Sequence, residues 1–109
     1  MTEMSRKYLS DIFIAIELIE NFTSDISDFD EYEKDLKTQS AVERQLAIIG
    51  EALNKLKKSE PDLIIENDRQ IIGFRNRLVH AYDSIDNSIV WVILKRHLTN
   101  LKSEVEGLN

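Results

Sequence analysis

Arg75, Asn76, Arg77, His80 and Tyr82 crowd into one short window and carry most of the chemistry this chain could do. A histidine titrates near neutrality and can move a proton in either direction. An arginine is permanently charged and forks onto phosphate oxygens, while asparagine orients a group without adding charge. Two such histidines and arginines facing each other across a two-fold axis could cleave RNA without metal. One imidazole would take the proton from the ribose 2′-OH and the other would protonate the leaving 5′-oxygen. Arginine would stabilise the charge developing on the phosphoryl oxygens. Each residue also has a plain structural reading. A histidine between Val79 and Ala81 is commonly a hydrogen-bonded packing residue. Arg75 and Arg77 would ordinarily pair with acidic neighbours, and Tyr82 would be core with its hydroxyl at the surface. The other histidine, His97, follows Lys95 and Arg96 and reads as a surface residue without a role.

Helical geometry limits how these groups can cooperate. At about 100° per residue, Arg75 and Tyr82 fall within about 20° of one another, and Asn76 and His80 within about 40°. Arg75 and His80 are about 140° apart on an ideal helix and do not share a face. If Arg75 and His80 act on one substrate, the helix must therefore unwind near His80 or a second subunit must complete the site.

The elements that position this window read as helices, because Gly and Pro are few (3 and 1) and far apart. Leu9, Ile12, Phe13, Ile16, Ile19 and Phe22 recur at three- and four-residue steps, which predicts a helix over 4–22. Asp28 with Glu31 resembles a capping box and starts a short helix through Phe29, Tyr32, Glu33 and Leu36. Val42, Leu46, Ile49, Leu53 and Leu56 form a bundle-type seam that Pro61 ends. Gly50 inside it should cost about 1 kcal/mol relative to Ala, a cost explained equally by a close approach of another helix or by chance tolerance. Residues 63–66 could be a strand by composition but have no partner. Asn67 is a plausible N-cap for a fourth helix, which Ile71, Phe74, Leu78 and Tyr82 continue. Asp86 or Asn87 caps the last helix, whose face is Val90, Leu94, Leu98, Leu101 and Val105 and which Gly107 ends. The expected fold is all-α: an antiparallel bundle of four main helices plus one short helix, in a single domain over residues 1–109.

Composition removes several function classes. The chain is 109 residues long, has no cysteine and carries a net charge of −6. No disulfide, thiolate metal site or thiol nucleophile is available, and two histidines cannot build a three-histidine zinc site within one chain. The longest apolar run, residues 89–94, is far short of a membrane span. Asp11 and Glu17 bracket the only apolar stretch near the N-terminus, so no secretory signal is read there and a cytoplasmic location is expected. Residues 1–35 carry a net −7 and the remainder +1. The acidic balance argues against broad nucleic-acid binding but leaves room for a local cationic site.

The string Arg75-Asn76-Arg77-Leu78-Val79-His80-Ala81-Tyr82 resembles the R-x4-H-x-Y signature of HEPN-domain toxins of the HepT-like type. Residues 41–46 (Ala-Val-Glu-Arg-Gln-Leu) and 49–52 (Ile-Gly-Glu-Ala) resemble the central helix of that family. Ile85-Asp86 followed by Val90-Trp91 resembles the start of its last helix, so the likeness runs from about Tyr8 to Leu101. The resemblance implies a helical ribonuclease toxin that works as a homodimer and needs neither metal nor cofactor. Its implied RNA substrate is often transfer RNA. It also implies a partner antitoxin, an MntA-like minimal nucleotidyltransferase, in a type VII-like pair. Carried over, Arg75 and His80 are catalytic, Asn76 and Arg77 support them, and Tyr82 accepts AMP from the antitoxin. The alternative is a non-catalytic HEPN dimer that binds RNA, a nucleotide or a nucleotidyltransferase partner.

Overall fold

In a computed structural model the chain is described over residues 1–108, with Tyr82 described by its backbone alone. The helices are α1 (Glu3–Phe22), α2 (Phe29–Lys34), α3 (Leu36–Ser59), α4 (Asp68–His80), α5 (Asn87–Val92) and α6 (Leu98–Leu108). A 3-10 turn, Tyr82–Ser84, follows α4, and a π-helical turn, Ile93–His97, fuses α5 to α6 into one rod. No strand forms among the described residues, so 63–66 is irregular.

Polar caps set most helix starts by satisfying amide groups that have no partner inside the helix. Thr2 accepts from the Ser5 amide, Asp35 from Thr38 and Asp86 from Ser88. Asp28 accepts from the Glu31 amide, and Glu31 reaches back to the amide of Ser27 rather than of Asp28. The reciprocal pair thus exists, displaced by one residue from an ordinary capping box. Leu36 does not belong to the short helix as expected. It opens α3 and is 73% exposed, because Asp35 ends α2 and caps α3 at once.

The long helices run antiparallel. Ser5 at the start of α1 bonds to Ser59 and Glu60 at the end of α3, at 2.8 and 2.9 Å. The expected seam of α3 is fully inside: Val42, Leu46, Ile49, Leu53 and Leu56 are at most 2% exposed, packed with Leu9, Ile12, Ile16 and Ile19 of α1. Ile71 and Phe74 anchor α4 on this core, and Val90, Leu98, Leu101 and Val105 anchor the C-terminal rod. This is the expected bundle of four main helical rods plus the short α2.

Two features of the rod differ from expectation, each for a physical reason. Val90 and Leu98 are eight residues apart, which leaves them about 80° out of line on a straight α-helix. The π-turn absorbs one residue and restores the line, burying Ile93 where Leu94 was expected. Gly107 does not end α6, which continues to Leu108.

Candidate active site

α4 lies antiparallel along α3 and brings Arg75 over Gly50. A methyl carbon at Gly50 would overlap Arg75 Cβ, stand 2.8 Å from its Cγ and 3.3 Å from the Ile71 carbonyl oxygen. Of the two explanations open for the mid-helix glycine, a close approach by another helix holds, and the residue it admits is Arg75. The next residue along α3 takes the guanidinium: Glu51 Oε2 lies 2.6 Å from Arg75 Nη2. Arg75 Nη1 donates to Asn76 Oδ1 at 2.9 Å. Lys55 Nζ sits 3.6 Å from the other Glu51 oxygen, so the carboxylate lies between two cations. The Arg75 side chain keeps 26% of its surface exposed, which leaves part of it open to a ligand.

This arrangement forms one wall of a groove of ≈450 Å³ between α1, α3 and α4. Lys7, Arg44, Lys55 and Arg75 stand along it with Asp11, Glu43 and Glu51, over an apolar floor that includes Ile48 and Leu78. Burial on this wall holds the Glu43 carboxyl above the usual carboxylate range. Asp11 pairs with Lys7 at 2.7 Å.

Arg77 belongs to the other side of α4. It lines a second groove of ≈480 Å³ with Arg69, Phe74, Ile89, Ile93 and His97, between α4 and the C-terminal rod. Asp86, the cap of α5, has its carboxyl pushed down chiefly by the Ser88 hydroxyl and amide, with Arg77 adding its charge. His80 is the last residue of α4 and is exposed, as is Asn76. Among the described residues no hydrogen bond or ion pair joins Arg75 or Arg77 to His80. The structure thus brings Arg75 and Asn76 together, places His80 one turn beyond Asn76 on the same face of α4, and turns Arg77 to the other groove.

The helix stops immediately after His80, where Ala81 turns to φ −144 and ψ 41. Tyr82 therefore does not continue α4, and the angular argument that put it on the face of Arg75 fails for that reason. Its side chain lies outside the described residues. Two further expectations are corrected. Asn67 does hold the N-cap position, but in the left-handed region (φ 64) and with no side-chain cap bond. Its amide instead lies 3.4 Å from His97 Nδ1. His97 is accordingly half-buried in the second groove rather than a free surface residue.

Glu51 and Gln39 were not singled out in the sequence. Gln39 is 8% exposed and donates to the carbonyls of Tyr32 and Glu33, at 2.8 and 3.0 Å. It accepts from Asn87 at 3.3 Å, tying the end of α2 to the start of α5 and so fixing where the chain returns after His80. The signal for Glu51 was its place beside Gly50; for Gln39 there was none, since one glutamine among polar neighbours has no pattern. Among the described residues no three carboxylate or imidazole groups gather as a metal site would need, and no helix is long and apolar enough to cross a membrane.

Residues 12–108 match the model of a family described as ribonuclease HepT-like. A probable ribonuclease HepT of Thermococcus cleftensis is 39% identical over 112 residues, covering 99% of this chain and 98% of that protein. Two candidate RNases of Methanocaldococcus jannaschii are 37% and 33% identical, covering 94% and 93% of this chain and 85% and 93% of their own lengths. No solved structure matches the chain.

Proposed function

The chain belongs to the ribonuclease HepT-like family, and on that premise we propose that it is a metal-independent endoribonuclease toxin acting as a homodimer. The observation that carries this reading is the seating of Arg75: a guanidinium braced by Glu51 and Asn76, partly exposed, on the same short helix as an exposed His80. A guanidinium so held supplies charge to a phosphate, and an exposed imidazole supplies proton transfer. One chain provides each group once and in different directions. A second copy packed across α4 would supply the opposing pair.

In the proposed reaction one His80 removes the proton of a ribose 2′-OH, and that oxygen attacks the adjacent phosphorus. The bond from phosphorus to the 5′-oxygen breaks, and His80 of the second copy protonates the departing oxygen. The products are a 2′,3′-cyclic phosphate and a 5′-hydroxyl end. Arg75 stabilises the charge on the two remaining phosphoryl oxygens, while Asn76 and Arg77 support binding.

Regulation in the proposed pair runs through Tyr82. A partner nucleotidyltransferase would join the Tyr82 oxygen to the α-phosphorus of ATP, releasing pyrophosphate and the hydroxyl proton. The attached AMP would add a phosphodiester charge and a bulky nucleotide two residues past His80 in the chain.

The test is incubation of purified protein with RNA, transfer RNA included, in EDTA, with end-group analysis and sedimentation in parallel. Cleavage to cyclic phosphate ends by a dimer supports the reading; a requirement for magnesium, or cleavage by a monomer, overturns it. One observation favours the binding-only alternative, namely that among the described residues no hydrogen bond or ion pair joins Arg75 to His80. RNA binding without cleavage would select it.

A further inference from the structure

Gly50 and Glu51 are neighbours on α3, and both act on one side chain of α4. Gly50 leaves the space in which Arg75 Cβ and Cγ lie, and Glu51 grips the far end of the same side chain. We infer that Glu51 is a positioning residue: it fixes the Arg75 guanidinium in the orientation that receives a substrate phosphate. Stability does not explain the pair, since an ion pair with 26% and 38% of its side chains exposed contributes little to folding. What it does accomplish is to order a long, flexible side chain before any ligand arrives.

The alternative role for such a carboxylate is a gate that occupies Arg75 and must be displaced. The local charges argue against it. Lys55 lies on the second Glu51 oxygen, so the group of Lys55, Glu51 and Arg75 keeps a net positive charge and still attracts phosphate. Asn76 takes one N–H of the guanidinium and Glu51 pairs with it as a charge, so only part of its donor set is used. The remaining N–H groups suit a bidentate grip on phosphate oxygens. Both braces stay in place while that grip forms.

The inference rests on the ribonuclease reading for its rate measurements but not for its structural one. Glu51→Ala should lower the single-turnover cleavage rate by about tenfold to a hundredfold, the scale expected when a charged group is misplaced by about 1 Å. RNA affinity should stay within about threefold of the parent, because the cation itself is retained. Glu51→Gln keeps an acceptor oxygen at the same place and should restore the rate to within a few-fold. In Arg75→Ala, added guanidinium chloride at millimolar concentration should recover part of the activity, and the recovery should vanish in the double variant with Glu51→Ala. Nitrogen-detected NMR of the Arg75 guanidinium should show slow rotation in the parent and rapid averaging in Glu51→Ala.

Glu51→Ala that cleaves as fast as the parent, or faster, overturns the inference, as does an affinity loss equal to the rate loss. Rapid averaging of the guanidinium in the parent overturns it whether or not any protein cleaves. Should the parent leave RNA intact while its guanidinium is held, the ribonuclease reading falls and the positioning of Arg75 stands.

Discussion

Gly50→Ala and Gly73→Ala are the same chemical change in the middle of two neighbouring helices, and they should move stability in opposite directions. Alanine gains about 1 kcal/mol over glycine in a helix interior, all else equal. At Gly73 nothing lies within 4 Å of the added carbon, so Gly73→Ala should show that gain at concentrations where the chain is monomeric. At Gly50 the carbon overlaps Arg75 Cβ and lies 2.8 Å from Cγ. Arg75 Cβ is fixed to the backbone of α4 and cannot swing aside, so the helix itself must move away from α3. Overpacking of this kind costs about 1–3 kcal/mol, and an immovable neighbour puts it at the upper end. Set against the helix gain, the net loss is about 2 kcal/mol, or roughly 10 °C in the melting midpoint for a domain of this size. Differential scanning calorimetry of parent and both variants reads it directly. Activity should fall further than stability predicts, because the displaced residue is Arg75. A Gly50→Ala protein as stable as the parent would show that α4 is not held where these distances require, and the account of the Arg75 seat would go with it.

The remaining predictions concern the site chemistry and two of the perturbed carboxyls. His80→Ala should lower the rate of RNA cleavage by about 10²–10⁴, the usual cost of losing a proton shuttle, with Arg75→Ala comparably severe and circular dichroism unchanged in both; survival of activity in His80→Ala would move the chemistry elsewhere. Tyr82→Phe should cleave RNA nearly as well as the parent yet gain no AMP from a partner nucleotidyltransferase and ATP, as read by intact-mass analysis. Glu43 has its folded pKa raised by burial, so its ionisation costs stability as pH rises through that value. Glu43→Gln should therefore melt higher than the parent at neutral pH, with the advantage disappearing once the pH falls below the ordinary glutamate range. Asp86 has its folded pKa lowered by Ser88, which contributes stability above the unfolded value. Asp86→Ala should melt lower at neutral pH, and the gap should close as the pH falls through the lowered value.

The helices were legible where apolar spacing and burial coincide, as in the α3 seam and the inner face of α1. Boundaries were missed where one residue serves two elements. Asp35 ends α2 and caps α3, so Leu36 looked like a continuation when it is a beginning. The end of α4 was missed because Tyr82 falls on the apolar period of that helix, while Ala81 breaks the backbone first. Periodicity reports which face a residue would occupy on a helix but is silent about whether the helix persists. The π-turn was hidden for the opposite reason: Val90, Leu94 and Leu98 look regular at steps of four, and only their accumulated drift on a straight helix reveals the need for an extra residue. At the candidate site, the motif window could be found from its residue types. Its supports could not, because Glu51 and Gln39 act across helices, and the pairing of faces comes from tertiary packing.

That packing sharpens the geometric problem posed by Arg75 and His80. The unwinding of the chain comes one residue too late to turn His80 toward Arg75: it redirects the backbone from Ala81 onward and leaves His80 as the last helical residue. Arg75 is meanwhile drawn to α3 by Gly50 and Glu51, while Arg77 faces the groove beside the C-terminal rod. Of the two ways to unite an arginine and a histidine in one site, local unwinding is therefore disfavoured by the backbone. In the proposed dimer the two chains would associate across α4, where Val79, half exposed beside the histidine, presents apolar surface. A two-fold axis there would set the Arg75 of one copy against the His80 of its partner. Glu51 would then do in each copy what neither chain could do alone, holding the cation still while the partner's imidazole meets the same phosphate.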